Sequence, residues 1–242
     1  MRRRGAVIAA LFLLFAACGG DDDDDAVDVG LTRDEAEDAV ERVLLDENDL
    51  GDGWDQTGTV APDEESEPPD LVESCLGASV LRALDAAELA VSERRDFERS
   101  GDEQFASTRV SVRTFAFDEA TAVDSITALF VDDAFTDCLG QRFEPLLDDG
   151  KSELGLQVGE PEVDETYLAL DGVRSSHLSI PFHADAPGFS FDAELDLVVV
   201  SRDQLASLLQ TIELRGVVDG EDVARWAALL ADRQRIAQSD AT

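Results

Sequence analysis

Lysine is almost missing from this 242-residue chain, which carries Lys151 alone, and histidine is limited to His177 and His183. A lysine base and a three-histidine metal site therefore lack their parts. Positive charge as a whole is scarce: 19 Lys and Arg stand against 55 Asp and Glu, a formal net charge of -36. A field of that sign repels phosphate backbones and anionic head groups, which argues against nucleic acid as a partner. The sequence also has no Gly-x-Ser-x-Gly, Walker loop, His-Glu-x-x-His or Gly-x-Gly-x-x-Gly. Covalent, phosphate and zinc chemistry are thus unannounced, and no catalytic residue, metal or cofactor is expected. The apolar run Ala6 to Ala17 has 12 residues, short of the roughly 20 that a membrane-spanning helix needs.

What the chain does have is 44% hydrophobic residues, enough for one substantial core. Arg2, Arg3 and Arg4 before the apolar run have the layout of an export signal, assigned to residues 1–17. The run ends in Phe15-Ala16-Ala17-Cys18, which resembles the lipobox of bacterial lipoproteins, with Phe15 in place of the usual Leu. The resemblance implies that Cys18 is acylated and becomes the mature N-terminus; an ordinary secretory signal cut nearby is the alternative. A diacylglycerol thioether supplies two chains, and two suffice for stable attachment. Residues 18–31 follow as an acidic flexible tether: Gly19-Gly20 and Asp21 to Asp25 extend by self-repulsion, and the 13 residues from Gly19 to Leu31 reach at most roughly 45 Å. Adjacent carboxylates on an extended chain point in opposite directions, so the Asp run is a poor calcium site.

With Cys18 spent on lipid, Cys75 and Cys138 form an even pair in an oxidising setting, and a disulfide between them is expected. The sharper alternative, a cysteine nucleophile, lacks a histidine nearby in sequence.

Residues 32–242 read as one α+β domain, an antiparallel sheet of about six to seven strands with three to four packed helices. Thr32-Arg33-Asp34-Glu35 is a capping box that opens a helix. The acids from Asp46 to Asp52 invite an EF-hand reading that fails, because position 12 falls on Thr57 or Thr59. Helical spacing returns around Cys75, through Leu76, Val80, Leu81 and Leu84, and again in Val123, Ile126 and Phe130 and on through Phe135 and Cys138. Residues 97–117 alternate as a hairpin; Tyr167 to Leu170, the Asp171-Gly172 turn and Val173 to Phe182 predict another. From Phe189 to Val199 apolar residues alternate against Ser190, Asp192, Glu194 and Asp196, one buried face and one wet. Leu205 to Leu214 fits a helix or a strand; pairing with Asp192 to Val200 favours the strand. Val223, Trp226, Ala227 and Leu230 make a closing helix, with Arg233 and Arg235 toward its negative end.

The capped helix leading to Leu50-Gly51-Asp52-Gly53-Trp54, Cys75 before a second helix, Phe135 three residues ahead of Cys138, and the terminal hairpin and helix together resemble actinobacterial sensor-type lipoproteins. Those are similar to the extracellular domain of certain mycobacterial serine/threonine kinases and, more remotely, to the PsbP/Mog1-like fold. The resemblance spans about Thr32 to Arg235. It departs in having one cysteine pair where two bridges are usual, and Phe135 where tryptophan is commoner. It implies an antiparallel sheet with helices around it, a cleft for an unidentified ligand, and no catalytic residues.

His177 and His183, six apart on a strand, share the face opposite Leu178, Ile180 and Phe182 and read as surface residues. The candidate ligand residues are Arg109 and Arg113, on one strand face with Phe105, Phe115 and Phe117, a mixture suited to an anionic or amphipathic ligand. The opposing reading pairs both arginines with acids and puts the phenylalanines under a helix. The expected function is a lipid-anchored, non-catalytic, ligand-binding or sensor-like module on the outer face of the bacterial cytoplasmic membrane, its ligand a small molecule or an envelope protein. An assembly lipoprotein supporting an envelope partner comes second, and a hydrolase a distant third.

Overall fold

Thr32 opens the first helix as its spacing predicts. In the computed structural model its hydroxyl accepts from the Glu35 amide, and the Glu35 carboxylate accepts from the Thr32 amide at 2.8 Å. The structure describes residues 30–61, 75, 86–101, 106–129, 134–139, 155–186, 189–214 and 220–241. The export signal, Cys18, residues 19–29 of the tether, the helix residues between Leu76 and Leu84, Phe105 and Phe130 lie outside these. No helix among the described residues is long and apolar enough to cross a membrane.

Helix α1 (Arg33–Val43) buries Ala36, Ala39, Val40 and Val43, the i, i+3, i+4, i+7 row of an amphipathic helix. The single turn α2 (Glu47–Leu50) is capped by Asp46, whose carboxylate accepts from the Asn48 and Asp49 amides, while Asp49 accepts from the Asp46 amide at 2.6 Å. The acids that suggest a calcium loop are thus spent on helix ends. The strands are β1 (Asp55–Val60), β2 (Glu88–Val91), β3 (Arg94–Ser100), β4 (Ser107–Phe117), β5 (Gly155–Val158), β6 (Glu162–Asp164), β7 (Arg174–Ala186), β8 (Phe189–Arg202) and β9 (Leu205–Leu214). Helix α3 (Ala120–Leu129) follows β4, and α4 (Gly220–Ala241) closes the described chain.

Among the described residues, all nine strands join one antiparallel sheet in the order β1-β3-β4-β9-β8-β7-β5, with β2 added to β4 and β6 to β7. Residues 205–214 are a strand, joined to β8 by a turn in which Asp203 adopts φ 47, a conformation aspartate tolerates better than most residues.

The sheet has a helix-covered core on each side. On one, Phe97, Val110, Val112, Val198, Val200 and Leu209 meet α1 and the α4 row of Val223, Trp226, Ala227 and Leu230. Trp54, at the entry to β1, meets Trp226 edge to face, with ring centroids 5.4 Å apart. Gln234, buried in the same row, donates to the Val200 carbonyl and the Ser207 hydroxyl, tying α4 to β8 and β9. On the other side, Leu178, Ile180, Leu195, Leu197 and Val199 meet Phe135 and Leu139 of the helical residues 134–139. Each fully buried leucine or isoleucine stabilises these layers by roughly 1.5–3 kcal/mol. Cys75 and Cys138 are bonded as a disulfide, Cα atoms 5.6 Å apart, beside this second core.

Several expectations need correction. Nine strands pair where six or seven were expected; β2 and β6 are short additions without an alternation signal. Helical segments also exceed three to four, because Glu47–Leu50 forms its own capped turn. Residues 167–170 are not a hairpin strand: the Leu168 amide is taken by the Ser175 hydroxyl at 2.7 Å, and β7 pairs with β6 and β5 instead. Arg233 and Arg235 sit short of the end of α4, and each answers a carboxylate, Asp49 and Asp232, rather than the helix's last carbonyls.

Candidate functional site

The register of the long strands places the polar residues. Across β7 and β8, Ser179 faces Asp196, Pro181 faces Glu194 and His183 faces Asp192. In β9, Glu213 faces Glu194 and Thr211 faces Asp196, and β4 sets Thr108 opposite Glu213. Partners across a ladder share a face, so these residues lie on the side that α1 and α4 cover.

That face changes character along β8: Asp192, Glu194 and Asp196 give way to buried Val198 and Val200. Lengths explain the change. The apolar row of α4 from Val223 to Ala237 spans about 21 Å at 1.5 Å per residue, while the 14 residues of β8 extend about 46 Å. The helix row ends before the strand does, and the acids occupy the remainder. The face expected to be wet throughout is therefore wet at one end only, and Asp196, 6% exposed, is already inside.

Burial there is compensated residue by residue. His177 Nε2 donates to Asp196 Oδ1 at 2.7 Å, and Thr211 Oγ1 donates to Asp196 Oδ2 at 2.9 Å. The His177 ring lies against Tyr167, centroids 4.5 Å apart. His177 thus departs from the expected surface role: it shares a face with His183, as the spacing predicts, but its side chain is only 20% exposed. Tyr167 donates to the Gly220 carbonyl, and its hydroxyl is pushed up to about 12, first by burial and then by the negative charges of Asp196 and Asp164. His183 sits between Asp192 at 2.7 Å and Asp185 at 3.3 Å. Its hydrogen bond to Asp192, assisted by Asp185, raises the imidazole above its ordinary value despite some desolvation. Ser179 donates to Glu194.

Around this end opens a cavity of about 870 Å³, with Gln157, Pro181, His183, Asp192, Glu194 and Glu213 along its wall. Its volume suits a small organic molecule.

Arg109, Arg113, Phe115 and Phe117 share the opposite face of β4, as their alternation predicts. The Arg109 side chain is 60% exposed and pairs with Glu98 at 3.8 Å, and Arg113 is half-buried. Phe115 and Phe117 stack at 6.2 Å in a small cluster with Val123 of α3 and Ala206 of β9. These four residues do not line the cavity. Glu213 and Thr108 were not singled out from the sequence; their place beside Glu194 depends on registers that a single strand's pattern does not reveal.

Fold and site together define an α+β domain built on one nine-stranded antiparallel sheet, with an acidic cavity at the end of one face. No protein-family model matches the chain, and no curated protein matches it in sequence. Among solved structures it is similar to the extracellular domain of PknH from Mycobacterium tuberculosis, with a TM-score of 0.46 and 9% identity over 83% of this chain and 97% of that one.

Proposed function

We propose that this chain is a lipid-anchored extracytoplasmic module that binds a small ligand without transforming it, in the manner of a sensor domain. The observation that carries the reading is the cavity of about 870 Å³ at the polar end of the sheet. Residues 1–17 act as the export signal and Cys18 as the lipidated residue; the tether to residue 31 holds residues 32–242 off the outer face of the bacterial cytoplasmic membrane. A strongly acidic body is repelled by anionic lipid, which supports a domain standing clear of the surface. The disulfide between Cys75 and Cys138 is in keeping with an oxidising compartment. We place the fold with the PsbP/Mog1-like group on the sequence resemblance described above. Arg109 and Arg113 remain the place where an anionic ligand would dock, but the cavity lies on the other face of the sheet.

A second reading, support of an envelope protein, draws on β1. It ends the strand order among the described residues and is largely exposed, and a strand edge of that kind accepts an extended segment of a partner.

Native mass spectrometry on the gently purified full chain, beside its Cys18→Ser variant, tests both parts. A retained small mass is expected, together with release of the variant from membranes. A clean mass across preparations counts against the ligand-binding reading, and persistent membrane association of the variant overturns the anchor.

A further inference from the structure

We propose that the protein hangs from the membrane by the end of its sheet opposite the cavity, so that the cavity meets solutes of the aqueous envelope rather than lipid of the bilayer. The inference rests on the anchored, ligand-binding reading and adds its orientation. The chain enters the fold at Leu31, whose amide donates to Gln204 Oε1 at 2.8 Å and whose side chain packs against the first core. Gln204 lies in the turn between β8 and β9. Its side-chain amide donates to the carbonyls of Phe117 and Asp118, at 2.9 and 2.8 Å, and its own carbonyl accepts from the Phe117 amide at 2.9 Å. One residue thus fastens the point of entry both to the end of β4 and to the β8–β9 turn. The tether therefore joins the domain at a defined end of the sheet.

The cavity lies at the other end of the same strands. Of its wall, Glu194 and Ser190 stand 8 and 12 residues from Arg202 along β8, roughly 26 and 40 Å at about 3.3 Å per residue. β9 agrees: it begins at Leu205 beside the junction, and Glu213, next to its last residue, reaches the wall. β4 runs the same way, with Phe117 at the junction and Ser107 paired to Leu214 at the cavity end. The separation is thus set by three paired strands.

A flexible chain of 13 residues, the length from Gly19 to Leu31, spans roughly 20 Å on average. It holds the domain by the Leu31 end, so bringing the cavity to the lipid requires turning the domain over and stretching the tether along most of the sheet. That costs chain entropy, and it carries the exposed carboxylates of Asp192 and Glu194 toward anionic head groups. The outward arrangement needs neither.

The test is resonance energy transfer on the lipidated full chain in phosphatidylcholine vesicles whose head groups carry an acceptor dye. The donor sits on one added cysteine: Asp118→Cys at the junction, or Gln157→Cys or Glu160→Cys at the cavity end. All three residues are exposed, and Cys75 and Cys138 are joined to each other. Glu160 follows the wall residue Gly159 and serves if Gln157→Cys fails to fold. Transfer from residue 118 is expected to be at least about twofold that from residues 157 and 160. Equal transfer, or stronger transfer from the cavity end, overturns the orientation and leaves anchoring and ligand binding standing. Adding Cys18→Ser is expected to abolish transfer from every position. Transfer that survives it, or no transfer from any position while Cys18 is present, overturns the anchoring and the orientation with it.

Discussion

Arg233 on α4 donates to Asp49 Oδ1 at 2.6 Å, and the same guanidinium reaches the Leu44 carbonyl, so the last helix is fastened both to α2 and to the end of α1. Asp49 is already committed to capping Asp46, which fixes the carboxylate before the arginine arrives. The contact therefore needs little further ordering of the acid.

Replacing Arg233 by methionine keeps the stem that packs on the helix and removes the charge. The expected loss is about 2 kcal/mol, below the 3–5 kcal/mol for breaking a fully buried pair, because the Arg233 side chain remains 24% exposed. Urea denaturation measures it. An unchanged midpoint would show that this pair behaves like an ordinary surface contact.

Opening the disulfide should cost more. The bridge joins residues 63 apart and limits the unfolded chain, a contribution of about 4 kcal/mol in the chain-entropy account. Because Cys75 and Cys138 lie beside the second core, the double serine variant is also expected to loosen Phe135 and Leu139. Unfolding curves with and without reductant check the first point, and hydrogen exchange in residues 134–139 checks the second. Equal curves would mean that the bridge constrains nothing the core does not already hold.

His183 carries a pH dependence whose sign follows from its partners. Its folded value lies above the ordinary 6.5, chiefly through Asp192, so the stabilisation is complete below 6.5 and is lost as pH rises through the folded midpoint. With only two histidines in the chain, ring resonances in an NMR titration are readily separated. The His183 midpoint should lie above 6.5 in the native chain and fall toward it in Asp192→Asn. A native midpoint at or below 6.5 would contradict the pairing.

Much of this architecture is legible in the sequence, for local reasons. The Thr32 and Glu35 box, the alternation from Phe189 to Val199 and the row of Val223, Trp226, Ala227 and Leu230 each state their structure within one element, and each is found. The strand over 205–214 is resolved only by its neighbour, since Leu205, Leu208, Leu209 and Ile212 also suit a helix. The cavity is of another kind. Glu194 meets Glu213 because of how β8 and β9 are registered, and Asp192 and Glu194 stay exposed because the apolar row of α4 is shorter than β8. Neither fact resides in a short run of residues. The pattern on β4 did group Arg109, Arg113, Phe115 and Phe117 on one face, but not which helix would lie over them.

β8 makes both the inner wall of the second core and the floor of the cavity, one on each side of the same backbone. A slip of one residue in its pairing would exchange the two sets, sending Leu195, Leu197 and Val199 into water and Asp192, Glu194 and Asp196 against Phe135 and Leu139. Recognition can therefore be retuned along this strand by substitution at alternate positions, whereas a single-residue insertion or deletion there would abolish binding and folding together. Differences in length among descendants of such a domain are thus expected in its connections, while β8 keeps its count.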